Sequence, residues 1–175
     1  MPATTNSRKQ LTLFVPEPWR TALDALRRTL DPVQASLIAA HVTLCREDEI
    51  EHVNPSSILR RVEAWPHGPL SLSFGKPHRF GGHGVLLPCT QGTPQFHALR
   101  VWLLQDPGAR EHGAHLTLAH PRNPRARANT EDALAACPQS LQLQFASVAL
   151  IEQEGSAPWR VIQESTLGSN ARSMA

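Results

Sequence analysis

Two tetrapeptides in this chain share one chemical layout, His41-Val42-Thr43-Leu44 and His115-Leu116-Thr117-Leu118. A strand alternates its side chains between two faces, so on a strand His41 and Thr43 point one way and Val42 and Leu44 the other; the second tetrapeptide repeats the division. The apolar pair of each anchors its strand in a core, which leaves an imidazole and a hydroxyl facing a cleft. Two such strands side by side present two imidazoles and two hydroxyls to one point, a sufficient set for a phosphate ester. One neutral imidazole takes a proton from attacking water, the other, protonated, gives one to the leaving oxygen, and the hydroxyls donate to nonbridging phosphate oxygens. An ordinary imidazole pKa of about 6.5 lets both forms coexist near neutrality, which predicts a bell-shaped pH dependence. Neither histidine can be given its part from sequence, and the scheme needs no metal and no cofactor.

The elements that must hold these residues are short, because fifteen prolines punctuate the chain. Leu11 to Val15 reads as a strand closed by Pro16 and Pro18. Apolar residues at three-to-four spacing from Trp19 to Leu30 predict an amphipathic helix, with Pro32 as its stop. Ser36 to Cys45 reads as a continuous strand, Arg46 to Asn54 as a polar link, and Pro55 to Ala64 as a helix opened by Asn54. LSLSF after Pro69 and Gly84 to Pro88 predict antiparallel strands around a glycine-rich basic loop. Thr93 to Leu104 follows as a helix, Ala114 to Ala119 as a strand and Thr130 to Ala136 as a short helix. LQLQFASVALI and PWRVIQE close the chain as strands. Both histidine motifs thus end a strand–helix–strand unit, and strands interleaved with helices and hairpins predict an α+β domain with mostly antiparallel sheets. Residues 1–10 and 166–175 read as flexible tails flanking one bilobed domain over 11–165. Trp65, Trp102 and Trp159 read as core, with Trp19 capping it from outside.

Lys and Arg number 17 against 15 Asp and Glu, a formal charge of +2 that is too small for a general grip on a duplex. No apolar stretch approaches the length needed to cross a bilayer, and the polar first ten residues have no signal-peptide core. Three cysteines without a C-x-x-C pair fit a reducing compartment. The expectation is a cytoplasmic monomer without a membrane partner.

At its two motifs the chain resembles the 2H phosphoesterase superfamily, defined by paired His-x-Thr/Ser motifs, and within it the 2′-5′ RNA ligase, or LigT-like RNA 2′,3′-cyclic phosphodiesterase, group. LTLFVP, SLIAAHVTLCRE and LSFGKPHRF extend the likeness over nearly the whole chain. The resemblance implies a bilobed α+β fold with a pseudo-twofold axis and a groove between lobes. It also implies metal-independent opening of an RNA 2′,3′-cyclic phosphate to a 2′-phosphate, with ligation as the reverse. On the motif match His41 and His115 would be catalytic, and Thr43 and Thr117 would bind phosphate. Arg46 follows the first motif where family members carry a basic residue. His120 takes the corresponding place after the second, and Arg122 follows.

Around this set stand residues with weaker claims. His120, Arg122, Arg125 and Arg127 form a basic loop suited to flanking phosphates, with a solvated surface loop as the alternative. Phe80, beside Lys76, His78 and Arg79, could stack on a base or pack as a lid. Cys45 is a conceivable nucleophile that reads better as a buried filler. His112, His115 and His120 as zinc ligands would have irregular spacing and no acidic companion. The competing readings are an RNA-binding module with little turnover, a phosphodiesterase of small cyclic nucleotides, and a zinc hydrolase.

Overall fold

The computed structural model describes residues 7–122 and 131–170. Its elements run β1 (Ser7–Phe14), α1 (Trp19–Leu30), α2 (Pro32–Leu37), β2 (His41–Cys45), α3 (Glu47–Ile50), α4 (Pro55–Glu63), β3 (Leu70–Phe74), β4 (His78–Phe80), β5 (Gly84–Gln91), α5 (Thr93–Leu104), β6 (His115–Ala119), α6 (Glu131–Ala135), β7 (Leu141–Phe145), β8 (Ser147–Glu154) and β9 (Arg160–Thr166). The strands form two antiparallel sheets, one ordered β2-β1-β8-β9, the other β4-β5-β3-β7 with β6 paired to β5. This is the two-lobed α+β arrangement that the alternation of elements predicts. β2 packs against β6, so the two motif strands, one from each sheet, meet where the lobes join.

Alternation sets what each strand buries. Leu141, Leu143 and Phe145 of β7 face inward while Gln142 and Gln144 face out. Leu70, Leu72 and Phe74 of β3 are buried in the same way, and β3 and β7 pair in register from Leu70↔Phe145 to Phe74↔Leu141. β8 is buried from Val148 to Gln153, as a strand covered on both faces must be.

Several expectations are corrected. Ser36 to Cys45 is not one strand: Asp31 accepts the Gln34 N–H and Pro32 fills the first helical position, so a short helix forms over Pro32–Leu37 before the chain extends at His41. Pro32, expected as a stop, therefore serves as a start. The polar link after Arg46 contains α3, opened by Glu49, whose carboxylate accepts the Arg46 N–H at 2.8 Å. The closing run LQLQFASVALI is two strands in different sheets, β7 against β3 and β8 against β1 and β9; its period-two pattern continues through Ala146 with no glycine or proline to mark the crossing.

Neither tail keeps its expected extent. Ser7 to Gln10 pair with Glu154 to Ile151 and extend β1. At the other end β9 runs to Thr166, Leu167 is buried, and the N–H groups of Gly168 and Asn170 donate to Val62 and Glu63 at 3.0 Å each, satisfying carbonyls at the end of α4. Trp65 is core, and Trp102 packs against it edge-on with ring centroids 6.0 Å apart. Trp159, expected in the core, is only half-buried beneath the Arg8 guanidinium, 5.1 Å from its ring centroid. Trp19 stands exposed.

Gly92 precedes α5 with a φ of 95°, and a Cβ there would fall 2.4 Å from the Ser71 carbonyl oxygen. Gly92→Ala is therefore expected to cost about 1–3 kcal/mol, read as a lowered urea midpoint at unchanged slope.

Candidate active site

Each motif strand is held by its apolar pair. Val42 and Leu44 are wholly buried, as are Leu116 and Leu118 to within 1% exposure, while His41, Thr43, His115 and Thr117 stand half-buried. Register fixes the neighbours: β1 places Phe14 opposite His41 and Thr12 opposite Thr43, and β5 places Pro88 opposite His115 and Leu86 opposite Thr117.

The two imidazoles are oriented by the same device. His41 Nδ1 lies 2.8 Å from the Ala39 carbonyl oxygen, and His115 Nδ1 lies 2.8 Å from that of Gly113, each two residues back in the chain. A carbonyl only accepts, so Nδ1 carries the proton in both rings and each Nε2 is left for chemistry. The twofold relation read in the motifs thus extends to the hydrogen bond that sets each tautomer.

Around His41 the symmetry breaks. Burial pushes its pKa down to about 4; the positive charges of Arg27 and His115 add to this, while the Ala39 hydrogen bond and Asp24 oppose it. At neutral pH His41 is a neutral imidazole, the form that accepts a proton. Its approach is braced by α1: Asp24 accepts the Ala40 N–H at 2.7 Å, and buried Arg27 donates to Asp24 at 3.0 Å and to the Ile38 carbonyl at 2.7 Å. The Phe14 ring meets His41 edge-on, centroids 6.4 Å apart. His112 turns Nε2 toward the Thr43 carbonyl oxygen at 3.4 Å and packs edge-on against Phe96.

The sequence-derived candidates divide. His41, Thr43, His115 and Thr117 lie on the two strands that pack together. Arg46 sits at the far end of β2, five residues or about 16 Å along the strand from His41, with an exposed side chain. His120 is similarly at the far end of β6; its N–H donates to Asp31 at 2.8 Å, and its ring Nδ1 accepts the Arg122 N–H at 3.1 Å, so one ring nitrogen is committed to its own turn. Arg122 is exposed, and Arg125 and Arg127 lie outside the described residues. Phe80 is half-buried over its own hairpin, where a Cβ on Gly84 would come within 2.6 Å of its ring, and the adjoining Gly81 abuts Pro121 after the second motif. Cys45 is buried and its thiol is pushed up to about 12, so it stays protonated in the core.

The residues that sequence reasoning missed are those that hold the strands: Asp24, Arg27, Phe14, His112 and Arg100. The i,i+3 spacing of Asp24 and Arg27 was a visible signal for one pair. The rest are brought in from distant elements and leave no local trace.

A bilobed α+β frame thus carries one His-x-Thr strand from each sheet, with both histidine Nδ1 atoms bonded to backbone carbonyls. The family model described as the 2′-5′ RNA ligase superfamily matches residues 14–157, and the chain belongs to that family. Among solved structures it is similar to TT0787 of Thermus thermophilus, at 18% identity with a TM-score of 0.58, covering 92% of this chain and 98% of that one. It is also similar to E. coli LigT, solved with 3′-AMP at 12% identity and a TM-score of 0.57, covering 92% of this chain and 98% of that one. The LigT structure with NADP+ gives 14% identity, a TM-score of 0.58, and coverage of 93% and 98%. No curated protein sequence matches the chain. Among the described residues no helix is long and apolar enough to cross a membrane.

Proposed function

We propose that this protein opens the 2′,3′-cyclic phosphate at an RNA end to a 2′-phosphomonoester, without a metal, with His41 as general base and His115 as general acid. The carrying observation is the matched Nδ1 anchoring, which leaves two Nε2 atoms on strands that pack together. His41 Nε2 removes a proton from water as the water oxygen bonds to phosphorus; the bond from phosphorus to O3′ breaks, and O3′ takes the proton from His115 Nε2. Thr43 and Thr117 hydroxyls donate to the nonbridging oxygens, whose charge is most concentrated in the transition state. With a 5′-hydroxyl in place of water, the same attack on the cyclic phosphate, with O3′ leaving, joins the two ends in a 2′-5′ linkage. The reading is of a monomer acting in the cytoplasm, with RNA ends preferred over small cyclic nucleotides because Arg122 follows the second motif.

The test is incubation of purified protein with a short RNA bearing a 2′,3′-cyclic phosphate in excess EDTA, with products resolved by chromatography. A 2′-phosphate product supports the reading; no product, or activity lost to chelation, overturns it. The pH profile tests the assignment of roles. A base protonated only near pH 4 predicts an acid limb of kcat/KM more than two units below that of an ordinary imidazole. An acid limb near pH 6.5 would remove His41 as the base.

A further inference from the structure

Arg100 lies in the middle of α5, in a helix read from sequence only for its apolar residues, yet its side chain is wholly buried. Its guanidinium gathers three separate pieces of chain. Nη1 donates to the Leu44 carbonyl, on β2 directly after Thr43, and to Glu49 Oε2 at 3.1 Å. Nη2 donates to Glu49 Oε1 at 2.6 Å and to the Arg110 carbonyl at 2.8 Å, in the stretch that leads through His112 into β6. His112 closes the circuit, its Nε2 facing the Thr43 carbonyl at 3.4 Å. One buried cation therefore ties the strand of the first motif to the run-in of the second. A planar fork that engages two carbonyls and a carboxylate at once is a demand arginine meets and lysine does not.

We infer that Arg100, held by Glu49, is the positioning residue that fixes the spacing between the two His-x-Thr strands, and with it the productive alignment of His41 and His115. Arg100 does not touch substrate. It acts through Leu44, on the first motif strand, and Arg110, in the run-in to the second. Misplacing an acid relative to a base by about an ångström costs on the order of a hundredfold in rate, so releasing this tie lowers kcat while leaving binding of the substrate's remote parts intact.

The inference rests on the proposed phosphodiesterase reading, and the experiment separates the two. Arg100→Met/Glu49→Met removes the tie without stranding a buried charge; Arg100→Lys keeps the charge but not the fork, and serves where the double variant does not fold. Each is assayed on cyclic-phosphate RNA beside wild type, with the His41 ring titrated by NMR. Expected for a folded variant are a kcat at least tenfold lower, KM within threefold of wild type, and a His41 pKa that climbs toward the ordinary value as the groove opens to water. A folded variant with kcat within twofold of wild type overturns the inference, even if its Tm has dropped, since that would be a purely structural role. An inactive wild type overturns the functional reading instead. His41 titration then decides alone: a raised pKa in the variants keeps the positioning role, an unchanged one ends it.

Discussion

His41→Ala and His115→Ala are each expected to reduce kcat/KM on cyclic-phosphate RNA by about 10²- to 10⁴-fold, the range one proton transfer supplies. Each variant removes the only Nε2 on its strand, and the motif partner left behind cannot do both transfers in one step. The loss should appear mainly in kcat, because phosphate contacts from Thr43 and Thr117 remain. The double variant is expected to be little worse than either single one, since an acid and a base that act in the same step fail together. Thr43→Val, which removes one hydrogen bond to a charged phosphate, should cost less, on the order of 10- to 100-fold. Initial rates by chromatography, with circular dichroism to verify folding, decide it. A histidine variant retaining a tenth or more of wild-type rate would take that residue out of the mechanism.

That the placement of these four residues on two packed strands was legible in the sequence follows from where strands carry information. A motif of four residues on one strand encodes its own geometry: alternation alone separates Val42 and Leu44 from His41 and Thr43, and the repeat at 115–118 implies a second strand of like kind. Even the Nδ1 anchoring is local, reaching back two residues to Ala39 and Gly113. What could not be read is whatever depends on elements remote in sequence. Arg100 reaches Leu44 across 56 positions, and His112 reaches Thr43 across 69. On a helical wheel a buried arginine is indistinguishable from a solvated one until its carbonyl partners are in place. Arg46 shows the complementary effect: its nearness to the first motif in sequence is distance along an extended strand, which sets it along the chain from the imidazole. The misread strand over Ser36–Cys45 shows a third limit, because an apolar run has no period that separates a short helix from a strand, and only the Asp31–Pro32 cap signal distinguished them.

Arg100→Met alone is expected to destabilise the fold by about 3–5 kcal/mol, the usual consequence of removing one member of a buried ion pair. The substitution strands the Glu49 carboxylate, whose side chain is only 10% exposed, and leaves the carbonyls of Leu44 and Arg110 without the donor that satisfies them. Burial by itself would raise the Glu49 carboxyl; the hydrogen bonds from Arg100 and the Arg46 amide outweigh it and hold the group below the usual carboxylate range. Without Arg100 that balance tips toward protonation, and Arg110, exposed and already paired with Asp48 at 3.0 Å, is a poor replacement at 3.6 Å from Glu49. For a chain of this length the loss corresponds to a Tm lowered by roughly 10 °C. Adding Glu49→Met should restore most of it, since a buried pair exchanged for apolar side chains of similar volume is often close to neutral. Thermal melts of the two single variants and the double, run as a cycle, measure this directly. A loss in the double variant far smaller than the sum of the two single losses is the expected result. Independent, additive losses would mean that Glu49 and Arg100 stabilise the fold through other neighbours, and that the lobes are joined by packing of β2 on β6 rather than by the ion pair.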